Sequence, residues 1–215
     1  FSAEIGSPSL REEIEKVVSD PANSGIIIQL PLPKELNQNT QELLNLIPPE
    51  KDVDVLSEKN FENFAAGKLS ILPPTAGAVL NLFKKYNLEI TDKNIVLIGA
   101  GRLVGRPLAV WLKLKGVEFT LLDKNSQDIS TYTKEADILI SGTGRDNLIK
   151  GDMVKDGLIS VDFAKDIDFE SVAKQILALQ KEYIISEVKV ASIGTDKIDE
   201  KELLDPSFPR VVVKF

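Results

Sequence analysis

The sequence contains no cysteine and no histidine among its 215 residues. The lack of cysteine excludes disulfide bonds, a thiolate nucleophile and cysteine-based zinc sites. The lack of histidine excludes hydrolases of the Ser-His-Asp type and leaves Lys, Tyr, Asp or Glu for acid–base chemistry. We therefore expect no metal site and a reaction that needs neither a thiol nor an imidazole.

The sequence also lacks an excess of positive charge, a signal peptide and any apolar run of membrane-spanning length. Its net charge of -7 argues against nucleic acid as a partner, since such surfaces need clustered Lys and Arg. An anionic ligand is still compatible with this charge, because backbone N–H groups can bind one. The missing apolar segment predicts no membrane partner and a cytoplasmic location. Because the sequence begins at Phe1 rather than Met, we expect part of the first domain to lie outside it.

The first 90 residues show the pattern of several helices and one short strand. A β-branched run at residues 26–30 is typical of a buried parallel strand. Helices are predicted over residues 10–19 with Ser9 as the N-cap, over 39–46, and over 76–86 with Thr75 as a candidate cap.

From residue 93 onward, short apolar runs alternate with helical stretches. Strands are predicted over residues 94–98, 117–122, 136–141 and 158–162, with a helix over 103–115. This alternation indicates an α/β fold with a parallel sheet covered on both faces. After Asp168 we expect one amphipathic helix over 169–185 and a closing strand over 210–214, whose pairing partner the pattern does not identify.

The segment GAGRLVG at residues 99–105 follows the first of these strands and opens directly into the helix. Gly99 permits a tight turn, Gly101 lets the backbone approach a pyrophosphate, and Gly105 lets the helix pack closely on the strand. The helix N-terminus then presents N–H groups to the phosphates. The segment predicts a Rossmann-type NAD(P) site. The alternative is a structural turn that binds no ligand.

Further candidates for the cofactor site follow the next two strands. Asp123 lies 24 positions after Gly99, where an acidic residue usually bonds the adenosine ribose and repels a 2′-phosphate. This favours NAD over NADP, although Arg102 and Lys124 could supply cations to a phosphate. Thr143 stands where a Rossmann sheet places a loop over the cofactor. The alternative is that Asp123 and Thr143 are turn residues that contact no cofactor.

Several motifs occur in an order that resembles a known family. They are GIIIQLPLP at residues 25–33, PEKDVD at 49–54, PPT at 73–75, GAGRLVGRP at 99–107, ADILISGTG at 136–144 and VD at 161–162. Together they resemble the bifunctional methylenetetrahydrofolate dehydrogenase/cyclohydrolase enzymes of one-carbon metabolism. The QLPLP and KDVD motifs are quite specific to these enzymes, whereas the Rossmann motifs are not.

The resemblance implies a Rossmann-type nucleotide-binding domain plus a smaller α/β folate-binding domain, with a cleft between them. We expect the folate domain over residues 1–90, the NAD(P) domain over 91–168, and a C-terminal helix and return segment over 169–215. The implied reaction transfers a hydride from 5,10-methylenetetrahydrofolate to NAD or NADP and then hydrolyses the methenyl product to 10-formyltetrahydrofolate. The implied partners are a tetrahydrofolate derivative and a second copy of the chain in a homodimer.

The resemblance also implies residues for the folate site. In the family a Lys tuned by a Gln performs the acid–base work and an Asp holds the pterin. The Gln would be Gln29 and the Asp would be Asp54. A Gln amide can orient a Lys, and a carboxylate can accept two bonds from the pterin's amino-pyrimidine edge. A strand-end role for Gln29 and a turn-capping role for Asp54 are the alternatives, and Lys51 is interpreted as structural.

The sequence departs from the family's pattern at several positions. No Tyr-x-x-x-Lys motif, the source of the family's catalytic Lys, precedes Gln29, and no PGGVGP segment follows Lys189. Ala100 stands where many members carry an Arg for the 2′-phosphate, which again favours NAD. Lys165 replaces an Ile on the nicotinamide side of the cofactor. Two rival hypotheses are therefore another Rossmann dehydrogenase and a non-catalytic relative that binds nucleotide or folate.

Overall fold

The computed structural model describes residues 6–180, 191–192 and 212–214. The chain divides into two compact units, Phe1–Gly77 and Ala78–Phe215, which we call the first and second units. In the described residues, the first unit is mostly helical with one isolated β-bridge, and the second carries a parallel sheet with helices.

The first unit contains short helices connected by turns. They are α1 Ser7–Ser19, a 3₁₀ helix Lys34–Asn39, α2 Thr40–Leu44 and α3 Glu58–Ala65, and α4 Pro74–Lys85 begins here and continues into the second unit. Leu10 and Ile14 lie four residues apart on α1, and they are buried in one cluster with Leu36 and Leu43. This cluster is a hydrophobic core of the first unit.

The predicted helices α1 and α4 are present, but their caps are wrong. α1 begins at Ser7, so Ser9 lies inside the helix and Gly6 occupies the N-cap position. α4 begins at Pro74, so Thr75 is a helical residue rather than the cap. In both helices a proline occupies the first turn, where its missing N–H needs no partner.

The predicted strand at residues 26–30 is also wrong. It is reduced to a single parallel bridge between Ile26 and Asp52. Ile27 is 62% exposed, whereas a strand buried on both faces would cover it. A β-branched run forms a strand only where the fold supplies a neighbouring strand and a surface to cover it.

Helix α3 has no counterpart among the predicted helices. Ser57 caps it by accepting a hydrogen bond from the Asn60 N–H. Phe61 and Phe64 meet edge to face, with ring centroids 6.0 Å apart. A Ser followed by an aromatic pair three residues apart was a signal in the sequence that could have predicted this helix.

The second unit confirms the predicted α/β fold with a parallel sheet. Its described strands form a six-stranded sheet in the order β2-β1-β3-β4-β6-β5, with every pairing parallel. The strands are β1 Ile95–Ile98, β2 Thr120–Leu122, β3 Ile138–Ser141, β4 Ile159–Asp162, β5 Ala191–Ser192 and β6 Val212–Lys214. The helices are α5 Gly105–Leu114, α6 Ile129–Thr133 and α7 Phe169–Gln180, with a 3₁₀ helix Gly151–Met153.

The four predicted strands end where the sequence pattern placed their carboxyl ends, at residues 98, 122, 141 and 162. Their amino ends begin one to three residues later than predicted. Helix α5 begins at Gly105 rather than at residue 103, because residues 102–104 form a turn. The agreement at the carboxyl ends matters most, since ligands of open α/β sheets bind there.

The C-terminal predictions are confirmed where residues are described. α7 covers the predicted helix as far as Gln180, and residues 181–185 lie outside the described part of the chain. The closing strand is present as β6, which pairs with β4 on one side and with the unpredicted β5 on the other. Among the helices described, none combines the length and the apolar composition that crossing a bilayer requires.

Candidate functional site

The carboxyl edge of the sheet in the second unit carries the predicted cofactor residues. β1 pairs with β2 on one side and with β3 on the other, and Ile98 is in register with both Leu122 and Ser141. The chain leaves β1 for β2 and then crosses back to β3, so the strand order reverses between β1 and β3. Ligands of open α/β sheets bind at such a switch point. Two connections leave the sheet there: the glycine loop (residues 99–105) and the β3 loop (residues 142–145).

Gly99 and Gly105 determine the shape of the glycine loop. Gly99 has a φ of 98°, a conformation that residues with a side chain rarely adopt. Its N–H donates to the Leu122 carbonyl at 2.8 Å. A Cβ at Gly105 would lie 1.6 Å from the Gly99 carbonyl oxygen. The loop and the first turn of α5 therefore pack backbone against backbone, which only glycine permits at position 105.

Gly101 is the open position of the same loop. It is exposed, and a Cβ at this position would meet nothing within 4 Å. The loop therefore leaves space beside Gly101 at the N-terminus of α5, a helix of 10 residues. Helix N-termini with an accessible glycine backbone bind the phosphates of nucleotides. The residues present thus fit a dinucleotide pyrophosphate.

Gly142 belongs to the site, although the sequence interpretation did not single it out. Its N–H donates to the Ile98 carbonyl at 3.0 Å, and a Cβ at this glycine would lie 2.6 Å from Val104 Cγ1. A Cβ at Gly99 would lie 3.2 Å from Thr143 Cγ2. The glycine loop and the β3 loop are therefore in close contact. The sequence signal that could have identified Gly142 is a glycine directly after a predicted strand.

Asp162 and Asp166 are two further residues that the sequence interpretation missed as site residues. Both are fully buried, with 0% exposure. Asp162 accepts hydrogen bonds from the backbone N–H groups of Ala164, Asp166 and Ile167, each at 3.0 Å. These bonds fold the β4 loop (residues 163–167) back over the end of β4.

Asp166 connects the β4 loop to the β3 loop. Its carboxylate accepts hydrogen bonds from the Ser141 hydroxyl at 2.5 Å, the Thr143 N–H at 2.6 Å and the Arg145 N–H at 2.9 Å. The Arg145 N–H also donates to Thr143 Oγ1 at 3.1 Å. These partners lie 21 to 25 residues away in the sequence, so no local pattern could have identified this role.

Asp123 lies exposed at the end of β2, and its carboxylate is held in a local turn. It accepts hydrogen bonds from the Asn125 N–H at 2.8 Å and from the Ser126 hydroxyl at 3.3 Å. The hydrogen bonds, chiefly that from the Asn125 N–H, hold the pKa of the Asp123 carboxyl below its ordinary value. The side chain is therefore a carboxylate at neutral pH, as both its ribose-binding role and its turn role require.

The remaining predicted cofactor residues lie on the connections at the same edge. Ala100 and Lys124 are exposed, and Arg102 is half-buried in the turn before α5. Lys165 is exposed on the β4 loop with a φ of 59°, and its carbonyl accepts a hydrogen bond from the Asn147 N–H at 3.1 Å. The described residues contain no group of three or more acidic side chains arranged to hold a metal ion.

In the first unit, the bridge between Ile26 and Asp52 places the segment that leads into the QLPLP motif beside the KDVD motif. The Ile26 N–H donates to the Lys51 carbonyl at 2.8 Å. Gln29, three residues further on, is exposed and donates from its amide to the Leu30 carbonyl at 2.9 Å. The bridge thus joins KDVD to the residues immediately before QLPLP.

The two acids of the KDVD motif have different environments. Asp52 is 2% exposed and accepts hydrogen bonds from the Leu56 N–H at 3.2 Å and from the N–H and hydroxyl of Ser57 at 2.9 and 2.6 Å. It therefore stabilises the turn that leads into α3. Asp54 is half-buried, and burial raises the pKa of its carboxyl, with a further contribution from the charge of Asp52. Of the two, Asp54 is the one with access to a ligand.

Lys51 has the contacts of a structural residue. Its ammonium donates to the carbonyls of Val18 at 2.7 Å and Asp20 at 2.9 Å, at the C-terminal end of α1. A cation is favourable there because the last carbonyls of a helix carry partial negative charge.

Two protein-family models match this chain. The first, "Tetrahydrofolate dehydrogenase/cyclohydrolase, NAD(P)-binding domain", matches residues 73–178, and the second, "Tetrahydrofolate dehydrogenase/cyclohydrolase, catalytic domain", matches residues 1–54. The chain belongs to the tetrahydrofolate dehydrogenase/cyclohydrolase family. The resemblance inferred from the motifs is confirmed. Gln29 and Asp54 fall in the range matched by the catalytic domain of this family, and all the predicted cofactor residues fall in its NAD(P)-binding domain.

Curated relatives of this family are identical to the chain at about a third of the aligned positions. The bifunctional protein FolD of Mycoplasma mycoides is 37% identical over 183 residues, which cover 80% of this chain and 63% of that protein. The bifunctional protein FolD of Lactococcus lactis is 34% identical over 185 residues, which cover 81% of this chain and 64% of that protein. The chain thus spans less than two thirds of the length of these relatives.

Solved structures of the same family have a similar fold. The bifunctional FolD methylenetetrahydrofolate dehydrogenase/cyclohydrolase of Campylobacter jejuni is 35% identical, with a TM-score of 0.72 over 80% of this chain and 64% of that one. The Trypanosoma brucei enzyme, complexed with NADP cofactor and inhibitor, is 29% identical, with a TM-score of 0.67 over 74% of this chain and 54% of that one.

Proposed function

We propose that the whole protein oxidises 5,10-methylenetetrahydrofolate to 5,10-methenyltetrahydrofolate with NAD or NADP, and hydrolyses the product to 10-formyltetrahydrofolate. The observation that carries this proposal is the glycine loop at the switch point, open at Gly101 and packed against α5 at Gly105. The relative from Campylobacter jejuni, described as a methylenetetrahydrofolate dehydrogenase/cyclohydrolase, supports the substrate class.

The chain's own residues would bind and orient the dinucleotide, which supplies the hydride acceptor. The glycine loop and the N-terminus of α5 would hold the pyrophosphate, because N–H groups and the helix dipole favour an anion there. Asp123 would accept hydrogen bonds from the adenosine ribose. Thr143 on the β3 loop and Lys165 on the β4 loop would lie toward the nicotinamide.

The proposed cofactor preference is for NAD over NADP. A carboxylate at Asp123 repels a 2′-phosphate, and Ala100 offers it no cation. Arg102 or Lys124 would reverse this preference if the guanidinium or the ammonium paired with the 2′-phosphate of NADP. The Trypanosoma brucei relative that is complexed with NADP is 29% identical to this chain.

The first unit would supply the folate site. Asp54 would accept two hydrogen bonds from the amino-pyrimidine edge of the pterin, and Gln29 would orient the acid–base Lys, whose position this sequence does not identify. The cleft between the folate domain and the NAD(P) domain and the homodimer stay predictions from the family resemblance, and the cytoplasmic location stays a prediction from the sequence.

The proposed activity is tested with the whole protein and methylenetetrahydrofolate, with NAD⁺ or NADP⁺ as acceptor. We expect reduced dinucleotide to accumulate, measured by absorbance, and to do so faster with NAD⁺. If the protein binds dinucleotide but reduces neither acceptor, the proposed activity is rejected in favour of the rival hypothesis, a non-catalytic relative.

Replacing Gly101 with aspartate is expected to weaken dinucleotide binding by at least about tenfold, because a carboxylate would then face the pyrophosphate. The stability of the fold should not change, since a Cβ at this position meets nothing within 4 Å. Titration calorimetry measures the affinity and thermal unfolding measures the stability.

Gly101→Asn is the matched control for this charge, because it has nearly the same size and is neutral. We expect it to weaken binding much less than Gly101→Asp. Equal affinities for wild type and Gly101→Asp would show that the loop is a structural turn without a ligand.

Replacing Asp54 with asparagine is expected to weaken folate binding by at least about tenfold, because a charge-assisted hydrogen bond pair is lost.

Because burial raises the pKa of this carboxyl, its ionisation disfavours the folded state once the pH exceeds the ordinary Asp range. Asp54→Asn should therefore slightly raise the free energy of unfolding at neutral pH. The gain should vanish in acid, below the ordinary pKa of Asp, where the carboxyl is protonated in both states.

Urea denaturation at neutral and acidic pH measures the stability, and folate titration measures the affinity. An Asp54→Asn variant that is less stable at neutral pH and binds folate normally would show that Asp54 only caps its turn.

A further inference from the structure

Val55, the residue after Asp54, has a backbone conformation that its side chain disfavours. Its φ is 58°, in the left-handed region. This region costs free energy for any residue with a Cβ, and a β-branched residue such as valine is a genuine outlier there. The Val55 side chain is only 1% exposed. A strained conformation of this kind persists only where the surrounding structure fixes it.

Asp52 supplies contacts that fix this conformation. Its carbonyl accepts a hydrogen bond from the Val55 N–H at 3.4 Å, so residues 52–55 form a tight turn. Its carboxylate holds the first N–H groups of the segment that leads into α3. Asn60 on α3 donates from its side-chain amide to the carbonyls of Pro49 at 2.9 Å and Asp52 at 3.1 Å. The chain is therefore held by hydrogen bonds on both sides of the turn.

Asp54 occupies the third position of this turn. Asp52 before it and Val55 after it are buried, whereas Asp54 itself is half-buried. Rotation of Val55 to an ordinary negative φ would change the direction in which the chain leaves the turn. Because the residues on both sides are held, Val53 and Asp54 would have to absorb this change. The place of the Asp54 carboxyl therefore depends on the left-handed conformation of Val55.

We propose that Val55 is a positioning residue, whose left-handed backbone holds the Asp54 carboxyl where it meets the folate. Since Val55 is buried, it acts through Asp54 rather than by contact with the ligand. Strained backbone is concentrated at ligand sites, where it fixes a side chain before the ligand arrives. The inference rests on the proposed folate site and adds to it the residue that determines the geometry of Asp54.

Glycine and alanine at position 55 test this role in the whole protein, with tetrahydrofolate as the ligand. Glycine adopts the left-handed conformation freely, whereas alanine loses most of the buried side chain and still disfavours that conformation. We expect Val55→Ala to weaken tetrahydrofolate binding by on the order of three- to tenfold, and Val55→Gly by less than about twofold. Packing alone predicts the opposite order, because glycine removes more buried atoms. Titration calorimetry measures the affinities.

Leu56 is the matched control, because it is buried in the same segment but its backbone is not left-handed. In urea denaturation, Leu56→Gly should be less stable than Leu56→Ala, which is the ordinary order. Neither Leu56 variant should change the affinity for tetrahydrofolate while it is folded. At position 55 we expect the order to reverse, with Val55→Gly at least as stable as Val55→Ala.

A double-mutant cycle with Asp54→Ala separates positioning from a general loss of structure. In the Asp54→Ala background, Val55→Ala should have little further effect on affinity, because the carboxylate that it would displace is absent. Additive effects in this cycle would overturn the inference, as would a Val55→Gly variant that binds more weakly than Val55→Ala. If Val55→Ala does not fold, Val55→Gly decides alone, and a loss of more than about tenfold would overturn the inference.

The same measurements distinguish this inference from the proposed function. If the wild-type protein binds tetrahydrofolate and Asp54→Ala weakens binding, but Val55→Ala binds as the wild type does, only the positioning role of Val55 is rejected. If Asp54→Ala binds as the wild type does, the folate role of Asp54 is rejected together with the inference. A wild-type protein that binds no tetrahydrofolate would reject the proposed function, and the inference fails with it.

Discussion

Replacing Asp166 with alanine is expected to lower the free energy of unfolding of the second unit by at least about 2 kcal/mol. The carboxylate is fully buried and accepts hydrogen bonds from the Ser141 hydroxyl and from the N–H groups of Thr143 and Arg145. Alanine would leave the Ser141 hydroxyl and the Thr143 N–H without this acceptor, whereas the Arg145 N–H keeps its hydrogen bond to Thr143 Oγ1. Each unpaired buried donor costs about 1 to 3 kcal/mol. Urea denaturation followed by circular dichroism measures the change.

The control for this prediction is Asp152→Ala, which removes the same atoms from an exposed position. Its free energy of unfolding should lie within about 0.5 kcal/mol of the wild-type value. Asp166→Asn keeps one acceptor oxygen and should have an intermediate stability. If Asp166→Ala and Asp152→Ala are equally stable, Asp166 does not hold the β3 and β4 loops together.

Gly105→Ala is expected to lower the free energy of unfolding by about 2 to 3 kcal/mol and to abolish measurable dinucleotide binding. A Cβ at this position would lie 1.6 Å from the Gly99 carbonyl oxygen and 2.7 Å from its carbon. Both contacts are with backbone, so no rotamer change can relieve them. Either α5 or the glycine loop must move, and the proposed pyrophosphate site lies between them. Thermal unfolding and titration calorimetry measure the two effects.

Gly101→Ala is the matched control, because it adds the same methyl group to the same loop at an open position. It should leave the fold unchanged, or stabilise it slightly by restricting the unfolded chain. A Gly105→Ala variant with wild-type stability and affinity would contradict the backbone contact between the loop and α5.

The second unit was largely predictable because its signals are local. Short apolar runs followed by glycine or acidic residues marked the carboxyl ends of four strands, and all four ends agree with the structure. The glycines at 99 and 105 could be assigned from spacing alone, because a tight turn and a close backbone approach depend on the absence of a side chain.

The first unit was less predictable, because burial there depends on partners distant in sequence. The run at residues 26–30 has strand-forming residues but only one bridge, to Asp52. The acids of KDVD look alike in the sequence, yet Asp52 is buried in hydrogen bonds and Asp54 is half-buried with a raised pKa. No pattern within the motif distinguishes the acid that stabilises a turn from the acid that can face a ligand.

Residue order and spacing were therefore sufficient to establish the α/β architecture, the family and the glycine loop, since each depends on neighbours within a few positions. The burial of Asp162 and Asp166 and the contact of Gly142 with Val104 depended on the folded chain. Strands β3 and β4 and the loops that follow them become adjacent only when the parallel sheet forms, so this burial and this contact are properties of the fold rather than of any single motif.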